Sequence, residues 1–293
     1  MAGPIIGLGE ILWDLLPTGP RAGGAPFNFA FHCHQLGHEA VIVSRVGDDD
    51  LGGSLRAEVR RLGMTDEFIQ VDPDHPTGTV EVELDDRGQP NFTIADNVAW
   101  DYLAWEERFK PLIRSARAVC FGTLAQRCPV SRRTVQSFIR LDAPNWIVVF
   151  DVNLRSPFVD EEIIGQSLVS SNWLKLNEGE LDTLATLFGL RSAGIGALAV
   201  IRTVGLSLAC VTRGERGCTG FFDGEWLEVP GIPINVADTV GAGDAFTAGL
   251  LTQMLEGKPL AQAARFANTF AAIVASRPGG TPRVERAEVE RLC

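Results

Sequence analysis

The stretch "VADTVGAGDAFTAGL" (Val236–Leu250) decides how this chain is read. Gly241, Ala242 and Gly243 lead into Asp244 at what reads as the first turn of a helix, so free backbone N–H groups and one carboxylate fall in the same place. A helix start offers unpaired N–H groups and the positive end of the peptide dipole, which suits phosphate. Residues without bulk let a ligand come close to the main chain. A carboxylate repels phosphate, but it makes sense as a general base: an unperturbed aspartate, with a pKa of about 3.9, is ionised at neutral pH and can take the proton of an attacking hydroxyl. Fixed N–H donors beside a base are what phosphoryl transfer to an alcohol requires. Taken alone, the same residues also suit a glycine-capped turn in which Asp244 merely favours the first helical turn. Other phosphate motifs fail: there is no GxxxxGK[ST], and "GAGDAF" has neither the third glycine of a dinucleotide fingerprint nor a strand running directly into it.

Bulk properties narrow the field. A chain of 293 residues, 45% hydrophobic and 22% charged, can bury a sizeable core. With 37 acidic against 26 basic residues the net charge is -11, and no Lys/Arg block tracks a phosphate backbone, so nucleic acid is not an expected partner. No run is long enough for a membrane span. "MAGPIIGLGEILWDLLPTGP" lacks a basic leader region and carries Glu10 and Asp14, so it reads as a first strand and not as a signal peptide. The six cysteines show no CxxC pair, which fits reduced thiols in the cytoplasm.

Buried-strand runs at 4–9, 40–46, 118–123, 146–152, 172–177 and 206–212 alternate with helical patterns, three of them closed by Gly37, Gly63 and Gly189. Such alternation predicts an α/β fold with a mostly parallel central sheet covered by helices. Residues 77–94 break the rhythm. Val80, Val82 and Leu84 alternate with polar neighbours, and Asp86-Arg87-Gly88 supplies a turn, so a hairpin is predicted there. It could cover a site as a lid, join two protomers edge to edge in a homodimer, or simply decorate the surface. His32, His34 and His38 invite a metal reading, but His32 and His34 point to different sides of a helix that Gly37 ends, so ordinary packing is expected.

"DTVGAGDAF" resembles the second signature of the PfkB or ribokinase-like carbohydrate kinases, and "GGAPFNFAFHCHQLG" (Gly23–Gly37) resembles the first. "GEILWD", "VGDDDLG" (46–52), "DVNLR" (151–155), "NEGE" (177–180) and "TRGERG" (212–217) follow in the family's order over nearly the whole chain. The resemblance implies one ribokinase-like three-layer domain over 1–293, with a β lid formed by about 12–24 and 77–100, and ATP-dependent phosphorylation of a small hydroxyl compound. By this likeness Asp244 is the catalytic base, and the N–H groups of Gly241, Ala242 and Gly243 form an anion hole. Asn177 and Glu180 organise Mg²⁺ through water near the ATP phosphates. Thr212, Gly214 and Gly217 belong to the nucleotide loop, and Asn268 neighbours the adenine. Asp238 and the Val240 carbonyl match the positions that hold a monovalent cation, potassium in many members. Asp14, Gly24 and Asn28 match the sugar side.

The acceptor is read from departures within the family. Leu12 and Ala25-Pro26 replace the ribokinase pattern, so ribose is disfavoured. "DVNLR" resembles fructokinases and 2-keto-3-deoxygluconate kinases, with Arg155 reaching towards the site. The latter need a further cation for the substrate carboxylate, and Phe92-Thr93-Ile94 on the returning lid strand supplies none. A fructokinase-like sugar kinase is therefore expected, with Asn97 and Gln126 as candidate sugar contacts. The 2-keto-3-deoxygluconate kinase is the runner-up, and a non-catalytic sugar sensor on the same scaffold is the alternative of a different class.

Overall fold

The computed structural model describes residues 3–16, 19–84, 90–141, 146–192, 194–222 and 225–293. The chain opens with β1 (Ile5–Leu8), β2 (Leu12–Leu16), β3 (Gly19–Gly23), α1 (Ala25–Gln35), β4 (Ala40–Gly47), α2 (Asp50–Arg61), β5 (Ile69–Asp72), β6 (Thr79–Leu84) and β7 (Pro90–Ile94). There follow α3 (Phe109–Ser115), β8 (Ala118–Phe121), α4 (Pro129–Ile139), β9 (Ile147–Asp151), α5 (Glu161–Val169), β10 (Trp173–Asn177), α6 (Glu178–Leu187) and α7 (Ile195–Ile201). It closes with β11 (Leu208–Thr212), β12 (Cys218–Phe222), β13 (Glu225–Val229), α8 (Ala242–Leu255), α9 (Leu260–Ala275) and α10 (Arg286–Leu292).

Nine strands form the main sheet in the order β13-β12-β11-β10-β9-β8-β1-β4-β5. It is parallel from β5 to β11; β12 and β13 return antiparallel. Strand alternation divides the apolar side chains between two layers. Ile6, Leu8, Val119, Phe121, Val148, Phe150, Leu174 and Leu176 face helices α3 to α7. Ile5, Ala118, Cys120, Val149, Trp173 and Leu208 face α1, α8 and α9. Each fully buried side chain of this kind contributes roughly 1.5–3 kcal/mol, and a helical layer on both faces is what a parallel sheet demands.

A separate four-stranded sheet, ordered β3-β2-β6-β7, is built from residues within the two segments predicted for it. β2 and β6 run parallel with Asp14 opposite Val80, while β3 and β7 are its edges. Trp13 Nε1 donates to Leu51 O at 3.0 Å and ties this sheet to the start of α2. The predicted turn at Asp86-Arg87-Gly88 lies outside the described residues. Two parts of the main sheet escape the sequence reading: β5 (IQVD) alternates apolar with polar residues and lacks a continuous apolar run, and β12 and β13 are antiparallel strands at one end of the sheet. Among the described residues no helix is long and apolar enough to cross a membrane.

Candidate active site

The site is built where β9 and β10 end beneath the start of α8. These strands pair in parallel with Trp173 opposite Val149 and Lys175 opposite Asp151. With a period of two, Asp151 and Lys175 follow Val149 and Trp173 onto the face covered by α1, α8 and α9. Lys175 Nζ donates to Asp151 Oδ1 at 3.1 Å, and Thr247 Oγ1, in the first turns of α8, donates to Asp151 Oδ2 at 2.9 Å. A Cβ placed on Gly243 would stand 2.8 Å from Lys175 Nζ, so the ammonium lies directly against the helix start. Burial opposes the charge on Lys175, but the carboxylates of Asp151, Glu180 and Asp244 outweigh it and hold the amine above the usual lysine range. A permanent cation thus sits beside N–H groups that already favour an anion.

Asp244 occupies the first turn of α8 and is 9% exposed. Asn28 Nδ2, from α1, donates to its Oδ2 at 2.9 Å. Burial, with the charge of Asp151, pushes the Asp244 carboxyl up to about 6 against the opposing effects of Lys175, the Asn28 bond and Arg155. Such a group is still largely ionised at neutral pH and is a stronger base than a free aspartate. The turn into α8 is made by Gly241 at φ 75°, a left-handed conformation, and a Cβ there would stand 2.4 Å from Gly280 O. Only glycine satisfies both conditions.

In the first signature motif, Gly24 caps α1 at φ 106°, and a Cβ there would stand 2.5 Å from Glu10 O. Pro26 then opens the helix, where its missing N–H costs nothing. Asp14 lies on β2 against Gly23; burial raises its carboxyl to about 6, with Arg155 opposing and Asp238 and Asp244 adding to the shift. Glu10 is buried, and among the described residues its Oε2 has no hydrogen-bond partner. Desolvation raises it to about 7, with its own and Ala25's backbone N–H groups and Arg155 opposing, and Asp244 adding. The Arg155 side chain is exposed and bonds Leu154 O at 3.0 Å; it is the cation common to all three carboxylates.

Asn177 and Glu180 form a capping box at the start of α6: Glu180 N–H donates to Asn177 Oδ1 at 2.9 Å and Asn177 N–H to Glu180 Oε2 at 2.7 Å. Leu154 N–H donates to the other Glu180 oxygen at 3.0 Å. Thr212 ends β11, its hydroxyl 3.4 Å from Leu176 O, and Gly214 and Gly217 bracket the short turn that follows. Asp238 accepts N–H bonds from Val240 at 3.0 Å and Gly279 at 2.8 Å.

Three further sequence-derived candidates make bonds away from this cluster. Asn97 is exposed, at φ 55°, and its Oδ1 accepts the Tyr102 hydroxyl at 2.6 Å, a local pairing with no bond to the cluster. Gln126 is buried on Gly122 O, Ser167 and Gln136. Asn268 is buried, with Nδ2 3.3 Å from both Val229 O and Pro230 O. The three histidines go separate ways, His32 into the interior, His34 beside Gly63, and His38 to Glu256. Asp151, Lys175, Thr247 and Glu10 are the members of the cluster that the sequence reading does not assign. A surface cleft of about 500 Å³ lined by Gln253, Lys258, Arg265 and Arg286 lies around the other end of α8, and none of these residues belongs to either signature motif.

A buried carboxylate at a helix start, a lysine ammonium beside it and further carboxylates sharing one arginine suit a phosphotransferase with an alcohol acceptor. The chain belongs to the pfkB family of carbohydrate kinases: the model described as pfkB family carbohydrate kinase matches residues 18–286. It is 31% identical to a fructokinase of Klebsiella pneumoniae, over 86% of this chain and 84% of that one. It is 27% identical to fructokinase-1 of Oryza sativa subsp. japonica, over 98% and 96%. The solved fructokinase of Xylella fastidiosa with bound ATP superposes with a TM-score of 0.89, at 25% identity, over 100% of this chain and 98% of that one.

Proposed function

We propose that the protein transfers the γ-phosphoryl group of ATP to a hydroxymethyl oxygen of a small neutral sugar, fructose being the acceptor it favours. The observation that carries this reading is the buried Asp244, bonded to Asn28 from the acceptor side and seated at the α8 start on the phosphate side. Asp244 takes the hydroxyl proton as the new P–O bond forms; the bond from phosphorus to the bridging β,γ-oxygen breaks, and ADP leaves. Gly241, Ala242 and Gly243 offer N–H groups, and Lys175 a charge, to the group in transit.

Asp14, Gly24 and Asn28 are proposed to hold the sugar. Carboxylates accept hydrogen bonds from hydroxyls and repel a carboxylate ligand, so Asp14, Glu10 and Asp244 around one shared Arg155 support a neutral sugar over a keto-acid. The similarity to named fructokinases supports the same choice. The small sheet is proposed to act as a lid that excludes water during transfer.

Thr212, Gly214 and Gly217 are proposed to line the nucleotide site, with Asn268 fixing the β13 end behind it. The hard oxygens of Asn177 and Glu180 fit Mg²⁺ held through water, because each Glu180 oxygen keeps a lone pair beyond its N–H bond. When bound, Mg²⁺ would neutralise charge on the ATP phosphates. Asp238 and the Val240 carbonyl would hold a monovalent cation beside the helix start.

ADP release with MgATP across fructose, ribose, 2-keto-3-deoxygluconate, glucose and nucleosides tests the reading. Fructose far ahead supports it; a strong preference for the keto-acid favours the runner-up, and no ADP with any acceptor favours a sugar sensor.

A further inference from the structure

We infer that His32 and Gln35 are positioning residues for the anion hole: from α1 they pin the loop Gly279–Val284 against which Gly241 makes its turn. The inference rests on the role proposed above for Gly241, Ala242 and Gly243. Asn28, His32 and Gln35 share one face of α1 at helical spacing. Asn28 reaches Asp244, while the next two residues of the stripe reach the loop.

The hydrogen bonds form a closed set with one consistent arrangement of protons. Val284 N–H donates to Gln35 Oε1 at 2.9 Å, which fixes the orientation of the amide. Its Nε2 therefore faces His32 Nδ1 at 2.7 Å and Pro282 O at 3.3 Å, with an N–H for each. Nδ1 is then the acceptor, so the imidazole proton resides on Nε2 and is donated to Gly280 O at 2.9 Å. The ring is wholly buried between the edges of Phe31 and Phe270, and burial lowers its pKa to about 4, so it is neutral whenever the enzyme is folded near neutral pH. A buried imidazole with both nitrogens engaged is a rigid strut, because breaking either bond strands a polar group without water.

Gly280 is the point to which the strut is fixed. Its Cα is 2.6 Å from where a Cβ of Gly241 would stand, and a Cβ of its own would stand 2.8 Å from Asn28 Nδ2. The same residue therefore touches the turn that opens α8 and the amide that holds Asp244. From the other side, Asp238 accepts the N–H of Gly279 at 2.8 Å and that of Val240 at 3.0 Å. The loop is gripped between α1 and the chain entering α8, so a slack loop would let the helix start drift while leaving the sugar and nucleotide contacts in place.

The test compares His32→Leu, His32→Gln and Gln35→Met with wild type by steady-state kinetics, inhibition by ADP with aluminium fluoride, and thermal melting. His32→Leu is expected to lower kcat by about 10–100-fold, since small misplacements of reacting groups have effects of that size, while the KM values for fructose and MgATP stay within about threefold. Inhibition by ADP with aluminium fluoride weakens in parallel, because that complex occupies the anion hole. His32→Gln keeps an N–H able to reach Gly280 O and recovers most of the loss. A folded His32→Leu with kcat within about twofold of wild type, or one whose loss lies in KM alone, overturns the inference. If His32→Leu does not fold, Gln35→Met decides by the same criteria. A wild-type enzyme that releases no ADP with any sugar tells against the kinase reading itself, a result seen before any variant is made.

Discussion

Asn28 and Asp244 stand 216 residues apart in the chain, and the amide of one donates to the carboxylate of the other at 2.9 Å. Each belongs to one of the two signature motifs, so this bond joins the start of α1 to the start of α8. The amide holds the carboxylate in place and keeps it from becoming too basic to stay ionised, since burial alone would raise it further.

The pH profile follows from that balance. As a base Asp244 must be deprotonated to act, and its carboxyl is raised to about 6, so kcat/KM should fall on the acid side with a midpoint near 6 instead of in the ordinary aspartate range. A profile of kcat/KM for fructose against pH at saturating MgATP checks this. A kcat/KM flat down to pH 4.5 would contradict the raised carboxyl.

The same shift has a consequence for stability. The folded pKa of Asp244 lies above its unfolded value, so the native state binds the proton more tightly. Its contribution is fully present below the unfolded pKa and is lost as pH rises through about 6. At pH 7.5 the charged carboxylate therefore destabilises the fold. Asp244→Asn should unfold at higher denaturant than wild type at pH 7.5, by an amount on the order of 1–3 kcal/mol, and the gap should narrow towards pH 4. Equal midpoints at both pH values would remove the burial argument.

Lys175→Met leaves Asp151 and Asp244 buried without their cation. Losing one partner of a buried pair typically costs about 3–5 kcal/mol, and Lys175 also lowers the pKa of Asp244. The variant should melt earlier, turn over more slowly, and show its acid limb displaced above 6. Denaturation and a pH profile of the variant read both effects; an acid limb left unmoved would mean that Lys175 does not act on the base.

Gly241→Ala puts a side chain at φ 75° and 2.4 Å from Gly280 O. Left-handed strain costs about 1–3 kcal/mol, and the displaced helix start should lower kcat by more than about tenfold. Kinetics with a parallel denaturation curve test this, and a folded variant with wild-type kcat would show that the helix start does not meet the transferred group.

Most of the main sheet is legible in the sequence because parallel strands buried on both faces leave continuous apolar runs, and the first and last strands of the site fall within those runs. The residues that such runs contain by exception are harder to see. Lys175 interrupts "NWLKLN" and Asp151 closes "WIVVFD", and a charge inside a buried strand is itself a signal that something must pair with it. Which partner it takes is not local: Thr247 meets Asp151 across 96 residues, and His32 meets Gly280 across 248. The sequence reading treats His32 as ordinary packing because its acceptor lies on a loop at the far end of the chain. Asn97 shows a local feature that motif likeness does not reveal, a left-handed turn whose amide oxygen accepts the neighbouring Tyr102 hydroxyl.

The central claim is tested most directly by the kcat of Asp244→Asn with fructose and MgATP, measured on protein whose fold is verified by melting. Removal of a general base should lower kcat by about 10²–10⁴-fold with the KM for MgATP little changed. A folded Asp244→Asn enzyme that turns over at a rate close to wild type would contradict the account.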